Sequence, residues 1–205
     1  MSGTWSSRLG KDTDAGSRLS GMIELSERFA DEFRIGLPPG SLSGAGEGRI
    51  DIAFDKGQPG KFSLTSDLGG LGLRLQPLGW AMSQAQTGQL TVEGQLGDPP
   101  AVDTLALTAP GLEAEGRITL DDDGQLQRAR FDRVRAGNWL DASVDLVGRG
   151  PGSAPAVQIT GGTIDMRQTE FGAGGGQSGG QAGGQSGGQA GPINLTLDRL
   201  QISDG

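Results

Sequence analysis

The sequence of 205 residues contains no histidine, no cysteine and no tyrosine. Without histidine there is no Ser-His-Asp triad, and the side chain that most often transfers protons near neutral pH is missing. Without cysteine there is no disulfide scaffold and no thiolate metal site. No nucleophile paired with a base stands out among the other residues, so we predict that the chain is not an enzyme and holds no cofactor.

Positive charge is also scarce, since 17 basic residues stand against 25 acidic ones and the net charge is −8. Binding to nucleic acid needs clustered positive charge, so we expect no nucleic-acid partner. No stretch approaches the roughly 20 apolar residues of a membrane-spanning helix. The first residues lack the apolar core of a signal peptide. If the sequence is a complete chain, it predicts a cytoplasmic protein. If it is a piece of a longer protein, its location is that of the parent protein.

What the sequence does contain is a regular alternation of apolar and polar residues from about Arg49 to Met166, broken by Gly, Pro and Asp at intervals of about ten residues. This pattern is typical of an antiparallel meander in which each strand has one apolar face. We therefore predict an all-β fold, a curved and mainly antiparallel sheet of about ten strands that forms an open groove. The predicted lining residues are Ile50, Ile52, Phe54, Phe62, Leu64, Leu71, Leu73, Leu75, Leu90, Val92, Leu105, Leu107, Leu112, Ile118, Leu120, Leu140, Val144 and Leu146.

Four segments follow from composition. Residues 1–20 are polar and rich in Gly and Ser, and we expect a poorly ordered segment or a ragged strand. The groove occupies residues 21–171. In residues 172–191, Gly-Gly-Gln-Ser and Gly-Gly-Gln-Ala alternate, which predicts a flexible low-complexity linker. Alternation returns in residues 192–205, which we assign to a further strand of the same sheet.

One short helix is expected near the N-terminus. Met22, Leu25, Phe29 and Phe33 follow one another at helical spacing. Ser26 is a suitable N-cap, so the pattern predicts a helix from Glu27 to Arg34.

The acidic cluster Asp121–Asp123 invites a calcium-loop interpretation. If Gly124 takes the glycine position of that loop, Thr119 comes first and Arg130 last. Arg130 cannot bind a cation, whereas the loop requires a carboxylate there. The cluster therefore favours a solvated hairpin turn, and we predict no metal site.

The basic stretch Arg128–Arg135 leaves two interpretations open. It could hold lipid phosphate, or it could be a solvated strand face paired with Asp132 or Asp141. Trp80 and Trp139 each stand at the start or end of a strand, where such residues usually plug the rim of a sheet or meet lipid.

Four segments in this order resemble the C-terminal part of the AsmA-like proteins, in the YhdP branch, which is related to TamB. They are LRLQPLGW (73–80), APGLEAEGRITL (109–120), RVRAGNWLD (133–141) and GGTIDMR (161–167). The resemblance covers roughly residues 20–170. The membrane anchor of that family is absent here, and the Gly-Gly-Gln segment interrupts the strands, so we expect a fragment or a truncated reading frame.

The resemblance implies a protein of the Gram-negative cell envelope, anchored in the inner membrane and extending through the periplasm. Such proteins are thought to carry phospholipids between the inner and outer membranes in a long apolar groove, which serves outer-membrane biogenesis. The implied partners are phospholipid acyl chains and neighbouring segments of the parent protein, through which the chain would meet a membrane. The lining residues would contact acyl chains without polar anchoring.

Two other functions remain open from the sequence. The sheet could be a structural or assembly scaffold for outer-membrane or surface proteins, with its apolar face against protein. It could also be a glycan-processing enzyme on a β-scaffold, which would need paired carboxylates in a cleft.

Overall fold

In a computed structural model the described residues are 2–7, 16–32, 40–75, 78–150, 153, 155–165, 193–196 and 198–201. They form one curled, mostly antiparallel sheet, an open half-barrel with almost no helix, which confirms the predicted fold class. The strands are β1 (Ser2–Ser7), β2 (Ser17–Ser26), β3 (Leu42–Phe54), β4 (Gly60–Ser66), β5 (Leu71–Leu75), β6 (Trp80–Met82), β7 (Gln89–Leu96), β8 (Ala101–Ala109), β9 (Leu112–Leu120), β10 (Leu126–Ala136), β11 (Leu140–Val147), β12 (Ala156–Asp165), β13 (Ile193–Thr196) and β14 (Arg199–Gln201).

The sheet is an up-and-down meander with one excursion. Its strand order is β1-β2-β3-β4-β7-β8-β9-β10-β11-β12-β13, and β14 also pairs with β12. The main sheet omits β5 and β6, which form a hairpin that pairs back onto the start of β3. The last two strands run parallel to β12, whereas the other neighbours are antiparallel. The predicted linker, residues 172–191, lies outside the described residues.

The helix α1 (Glu27–Glu32) begins where the sequence predicts. The backbone N–H of Phe29 donates to Ser26 Oγ at 3.4 Å, so Ser26 caps the first turn. Phe33 and Arg34 lie outside the described residues. Met22 and Leu25 belong to β2 and not to the helix, because the backbone of β2 pairs with β3 at both residues and is therefore extended there.

The N-terminal segment contains paired strands. β1 and the start of β2 fall within residues 1–20, where the sequence suggests a poorly ordered stretch or a ragged strand. The two strands pair with each other, and β2 continues the pairing onto β3 along its whole length. A Gly/Ser-rich segment thus gains its structure from backbone pairing with a neighbour, which composition does not reveal.

Three β-bulges lie side by side across the sheet, apart from a further register shift between Leu126 and Arg128 at the start of β10. In each, two residues of one strand oppose a single residue of its neighbour: 103–104 against Arg117, 132–133 against Ser143, and 161–162 against Ala142. The bulged strands are β8, β10 and β12, every second strand, and the bulges occupy neighbouring positions in the register. A bulge bends its strand and increases the local twist, so this series accounts for the curl of the sheet.

Candidate functional site

A continuous row of apolar residues crosses the sheet. Each member is the direct cross-strand partner of the next, so their side chains lie side by side on one face. The row from β3 to β12 consists of Ile50, Leu64, Val92, Leu105, Gly116, Phe131, Val144 and Ile159. The three bulges keep the row on one face although they interrupt the two-residue alternation within their strands. We call this surface the apolar face.

At one end of the strands, protein covers the apolar face. Residues 67–75 and 78–88 leave the meander there and contain the paired strands β5 and β6, and we call them the plug. Leu68, Leu71 and Met82 of the plug are each only 2% exposed. The strand ends beside it are equally buried, with Leu112 and Leu140 at 2%. We call this part of the apolar face the plugged half.

Hydrogen bonds tie the plug and the adjacent turns together. The indole Nε1–H of Trp80 donates to the carbonyl oxygen of Pro110 at 2.8 Å. Two backbone hydrogen bonds continue the series at this end of the sheet: Gly137 N–H to the Gly111 carbonyl at 2.8 Å, and Asp165 N–H to the Trp139 carbonyl at 2.7 Å. The plugged half is therefore held both by apolar burial and by contacts between successive turns.

At the opposite end of the strands, none of the described residues covers the apolar face. Phe54 at the end of β3 is 44% exposed, and Leu96 at the end of β7 is 45% exposed. Ile52, Phe62 and Ile118 on the same part of the face are only half-buried. We call this part the open half. An exposed apolar surface of this kind usually marks a place where something binds.

Phenylalanine rings lie across bare glycine backbone on the apolar face. A Cβ built on the glycine would come within 2.9 Å of ring atoms in three cross-strand neighbours: Gly60 with Phe54, Gly94 with Phe62, and Gly116 with Phe131. Glycine at such positions permits a close approach, and the ring covers the backbone that the missing side chain leaves open. The rings therefore lie close to the sheet surface.

The structure places the predicted lining residues in two groups. Leu71, Leu73 and Leu75 lie on β5, and thus in the plug and not in the main sheet. The other predicted lining residues lie on strands of the meander. Among the latter, protein buries Leu64, Leu112, Leu140 and Val144, while Phe54 is well exposed and Ile52, Phe62 and Ile118 remain half-buried.

Sequence analysis missed several members of the apolar face. Leu96, Phe131 and Ile159 belong to it, and Leu96 is its most exposed large residue. A signal was present in the three-residue steps from Val102 to Leu105 and from Phe131 to Val134, because a bulge inserts one residue into a two-residue period.

The basic stretch lies on the other, polar face and is paired with carboxylates. Arg133 Nη2 and Nε donate to the two carboxylate oxygens of Asp141 at 2.6 and 2.9 Å. Arg128 binds Asp145 in the same bidentate manner. The hydrogen bond from Arg133 lowers the pKa of Asp141 below its ordinary value. These contacts favour the paired interpretation over the lipid-phosphate one.

A depression of about 340 Å³ on the polar face gathers Asp103, Glu115, Asp132 and Arg117. All four side chains are exposed, and Asp132 lies 3.7 Å from Arg117 and 3.3 Å from Arg130. Glycosidase-type chemistry needs a carboxylic acid kept protonated by an apolar environment. These exposed carboxylates, one of them ion-paired, do not have that environment.

The turn at Asp121 uses its carboxylate internally. Asp121 Oδ1 accepts hydrogen bonds from the backbone N–H groups of Asp123 at 3.1 Å and Gln125 at 2.8 Å. Gly124 follows with φ of +74°, which glycine adopts without strain. The arrangement is a hairpin turn of the solvated kind that the sequence favours.

Within the described part of the chain, no helix is long and apolar enough to cross a bilayer. Comparisons of the chain with protein-family models, with curated proteins and with solved structures gave no match. The apolar face, with its plugged half and its open half, is therefore the feature from which a function can be inferred.

Proposed function

We propose that this chain is a segment of a periplasmic, bridge-like lipid-transfer protein, and that the open half of its apolar face holds phospholipid acyl chains. The observation that carries the proposal is the contrast between the two halves. Protein covers the plugged half, where Leu71 and Leu112 are 2% exposed, whereas Phe54 and Leu96 of the open half are 44% and 45% exposed.

Burial energetics support an acyl chain as the missing cover. Each methylene removed from water contributes about 0.8 kcal/mol, so a few methylenes against Phe54 and Leu96 offset the immobilisation of a lipid tail. An acyl chain carries no hydrogen-bonding group that the apolar face would leave unsatisfied. The row of cross-strand partners from Ile50 to Ile159 supplies a surface without charge along which a chain can lie.

The resemblance of segments 73–80, 109–120, 133–141 and 161–167 to AsmA-like proteins supports the same function. In that setting the chain lies in the periplasm as part of an inner-membrane-anchored parent protein, and neighbouring segments of the parent extend the groove. Contact with either membrane is made through the parent.

The test is native mass spectrometry with lipid extraction on the chain purified from a Gram-negative host. We expect co-purified phospholipid, which falls at least several-fold in Leu96→Asp. The matched control is Met22→Asp, because Met22 is similarly exposed (41%) but pairs with Arg49 on the opposite face of the sheet. Both substitutions are at exposed positions, and circular dichroism should show that both variants fold.

A folded, monodisperse and lipid-free wild-type chain would overturn the proposal. The scaffold function, with the apolar face against protein, would then take its place. Equal loss of lipid in Leu96→Asp and Met22→Asp would also count against the open half as the binding surface, because the two substitutions change the same charge.

A further inference from the structure

Taken together, the four described turns that border the open half carry more acidic than basic residues, and the acid lies in two of them. Residues 55–59 join β3 to β4, residues 97–100 join β7 to β8, and residues 121–125 join β9 to β10. Residues 148–150 follow β11. Their charged residues are the carboxylates Asp55, Asp98, Asp121, Asp122 and Asp123 and the cations Lys56 and Arg149. The net formal charge is therefore −3. We call these turns the acidic rim.

The acidic rim adjoins the most exposed apolar side chains. Asp55 directly follows Phe54, and Asp98 stands two residues beyond Leu96. A strand advances about 3.3 Å per residue, so these carboxylates lie within roughly 10 Å of Phe54 and Leu96, and a headgroup that leaves the apolar face at this end passes within that distance of them. This distance is comparable to the Debye length of about 10 Å at 0.1 M salt, so screening weakens the interaction without abolishing it.

We propose that the acidic rim repels anionic headgroups, an inference that rests on the lipid function proposed above. The open half would then bind zwitterionic phospholipids in preference to phosphatidylglycerol. Phosphatidylethanolamine has no net charge and ends in an ammonium group that the rim attracts. Phosphatidylglycerol carries a net negative charge and no cation. The preference comes mainly from repulsion of the phosphatidylglycerol headgroup. It does not require a specific contact with phosphatidylethanolamine.

The experiment presents the full chain with vesicles that contain equal amounts of phosphatidylethanolamine and phosphatidylglycerol with identical acyl chains. Mass spectrometry then measures the two lipids bound to the re-isolated protein. We expect roughly a threefold enrichment of phosphatidylethanolamine at 0.1 M salt. At 1 M salt the Debye length falls to about 3 Å, and the ratio should approach that of the vesicles.

A charge-matched pair of double variants locates the effect. Asp122→Asn with Asp123→Asn removes two rim charges and leaves Asp121, whose carboxylate holds the turn. Glu24→Gln with Asp31→Asn removes the same charge from exposed positions in β2 and α1. We expect the rim variant to lower the phosphatidylethanolamine enrichment about twofold, and the control to leave it unchanged.

The outcomes separate this inference from the lipid function. Loading of both lipids in the vesicle ratio at 0.1 M salt, or an equal effect of the two double variants, overturns the acidic rim while the lipid function stands. Absence of either lipid from the protein overturns the lipid function and this inference with it.

Discussion

The indole of Trp80 donates a hydrogen bond of 2.8 Å to the carbonyl oxygen of Pro110, and this contact fastens the plug to the turn between β8 and β9. Trp80 is only 8% exposed, so its N–H would otherwise lie unsatisfied among apolar groups. Gly111 follows Pro110 with φ of +77°, a left-handed conformation that glycine adopts without strain.

We expect Trp80→Phe to lower the free energy of unfolding by about 1–3 kcal/mol. The substitution leaves the Pro110 carbonyl without its donor and opens a small cavity in the plugged half. Urea unfolding measures the loss, and binding of an apolar fluorescent dye should rise as the plugged half loosens. An unchanged free energy of unfolding would show that the plug is held by other contacts.

Leu68 should respond unusually to glycine. Its φ is +59°, a left-handed conformation that costs a non-glycine residue roughly 1–2 kcal/mol, and its side chain is 2% exposed. Leu68→Ala and Leu68→Gly both lose buried area, but only the glycine variant relieves the strain. We therefore expect Leu68→Gly to be at least as stable as Leu68→Ala in urea unfolding.

Leu64 supplies the comparison for Leu68, since it is 9% exposed and lies within β4. There the usual order should hold, with the glycine variant about 0.5–1 kcal/mol less stable than the alanine variant. If the glycine variant is less stable than the alanine variant at both positions, backbone strain at Leu68 does not affect stability.

Gly162 tests the bulge in β12. Its φ is +75°, and a Cβ would collide with the backbone carbonyl oxygen of Asp141. Gly57 has nearly the same φ, +73°, but a Cβ there meets nothing within 4 Å. Gly57→Ala should cost only the conformational strain of about 1 kcal/mol, and Gly162→Ala at least another 1 kcal/mol, as measured by thermal or urea unfolding. Equal costs would mean that β11 and β12 separate easily at the bulge.

Asp141 should make stability depend on pH at acid values. Hydrogen bonds from Arg133 lower the pKa of this carboxyl below its ordinary value of 3.8. A carboxyl with a lowered pKa in the folded state stabilises the protein fully above its unfolded pKa. That contribution is lost as the pH falls through the lowered folded value. The effect is small because the two side chains are 55% and 42% exposed.

Asp141→Asn should therefore be less stable than the wild type near pH 7, and the difference should vanish in strong acid. Urea midpoints measured at several pH values between about 7 and 2 give the comparison. Asp122→Asn removes the same charge from an exposed turn and serves as the control. A constant difference between wild type and Asp141→Asn at every pH would contradict the prediction.

Much of the fold was predictable because a strand with one buried face must alternate. Leu140, Val144 and Leu146 show this plainly, and they are found on one face of β11 as predicted. The N-cap at Ser26 was predictable for a similar reason, since its contact with Phe29 is local. Patterns that depend on near neighbours in the chain can be read without knowing the tertiary structure.

The division of the apolar face into two halves was not predictable. Leu71, Leu73 and Leu75 alternate as cleanly as Ile50, Ile52 and Phe54, yet the former lie in the plug and the latter in the main sheet. Alternation states that a strand has an apolar face but not which strand it pairs with. The exposure of Leu96 follows from the absence of a second plug at its end of the sheet among the described residues.

By itself the sequence determined the all-β architecture, the approximate strands and the absence of histidine, cysteine and tyrosine, because these depend on residue type and on the two-residue period. Only the tertiary structure decided which apolar residues are covered by the plug, where the bulges bend the sheet and which charges border the open half. Those features depend on pairing between strands far apart in sequence, whose energy comes from backbone hydrogen bonds that every residue type can make.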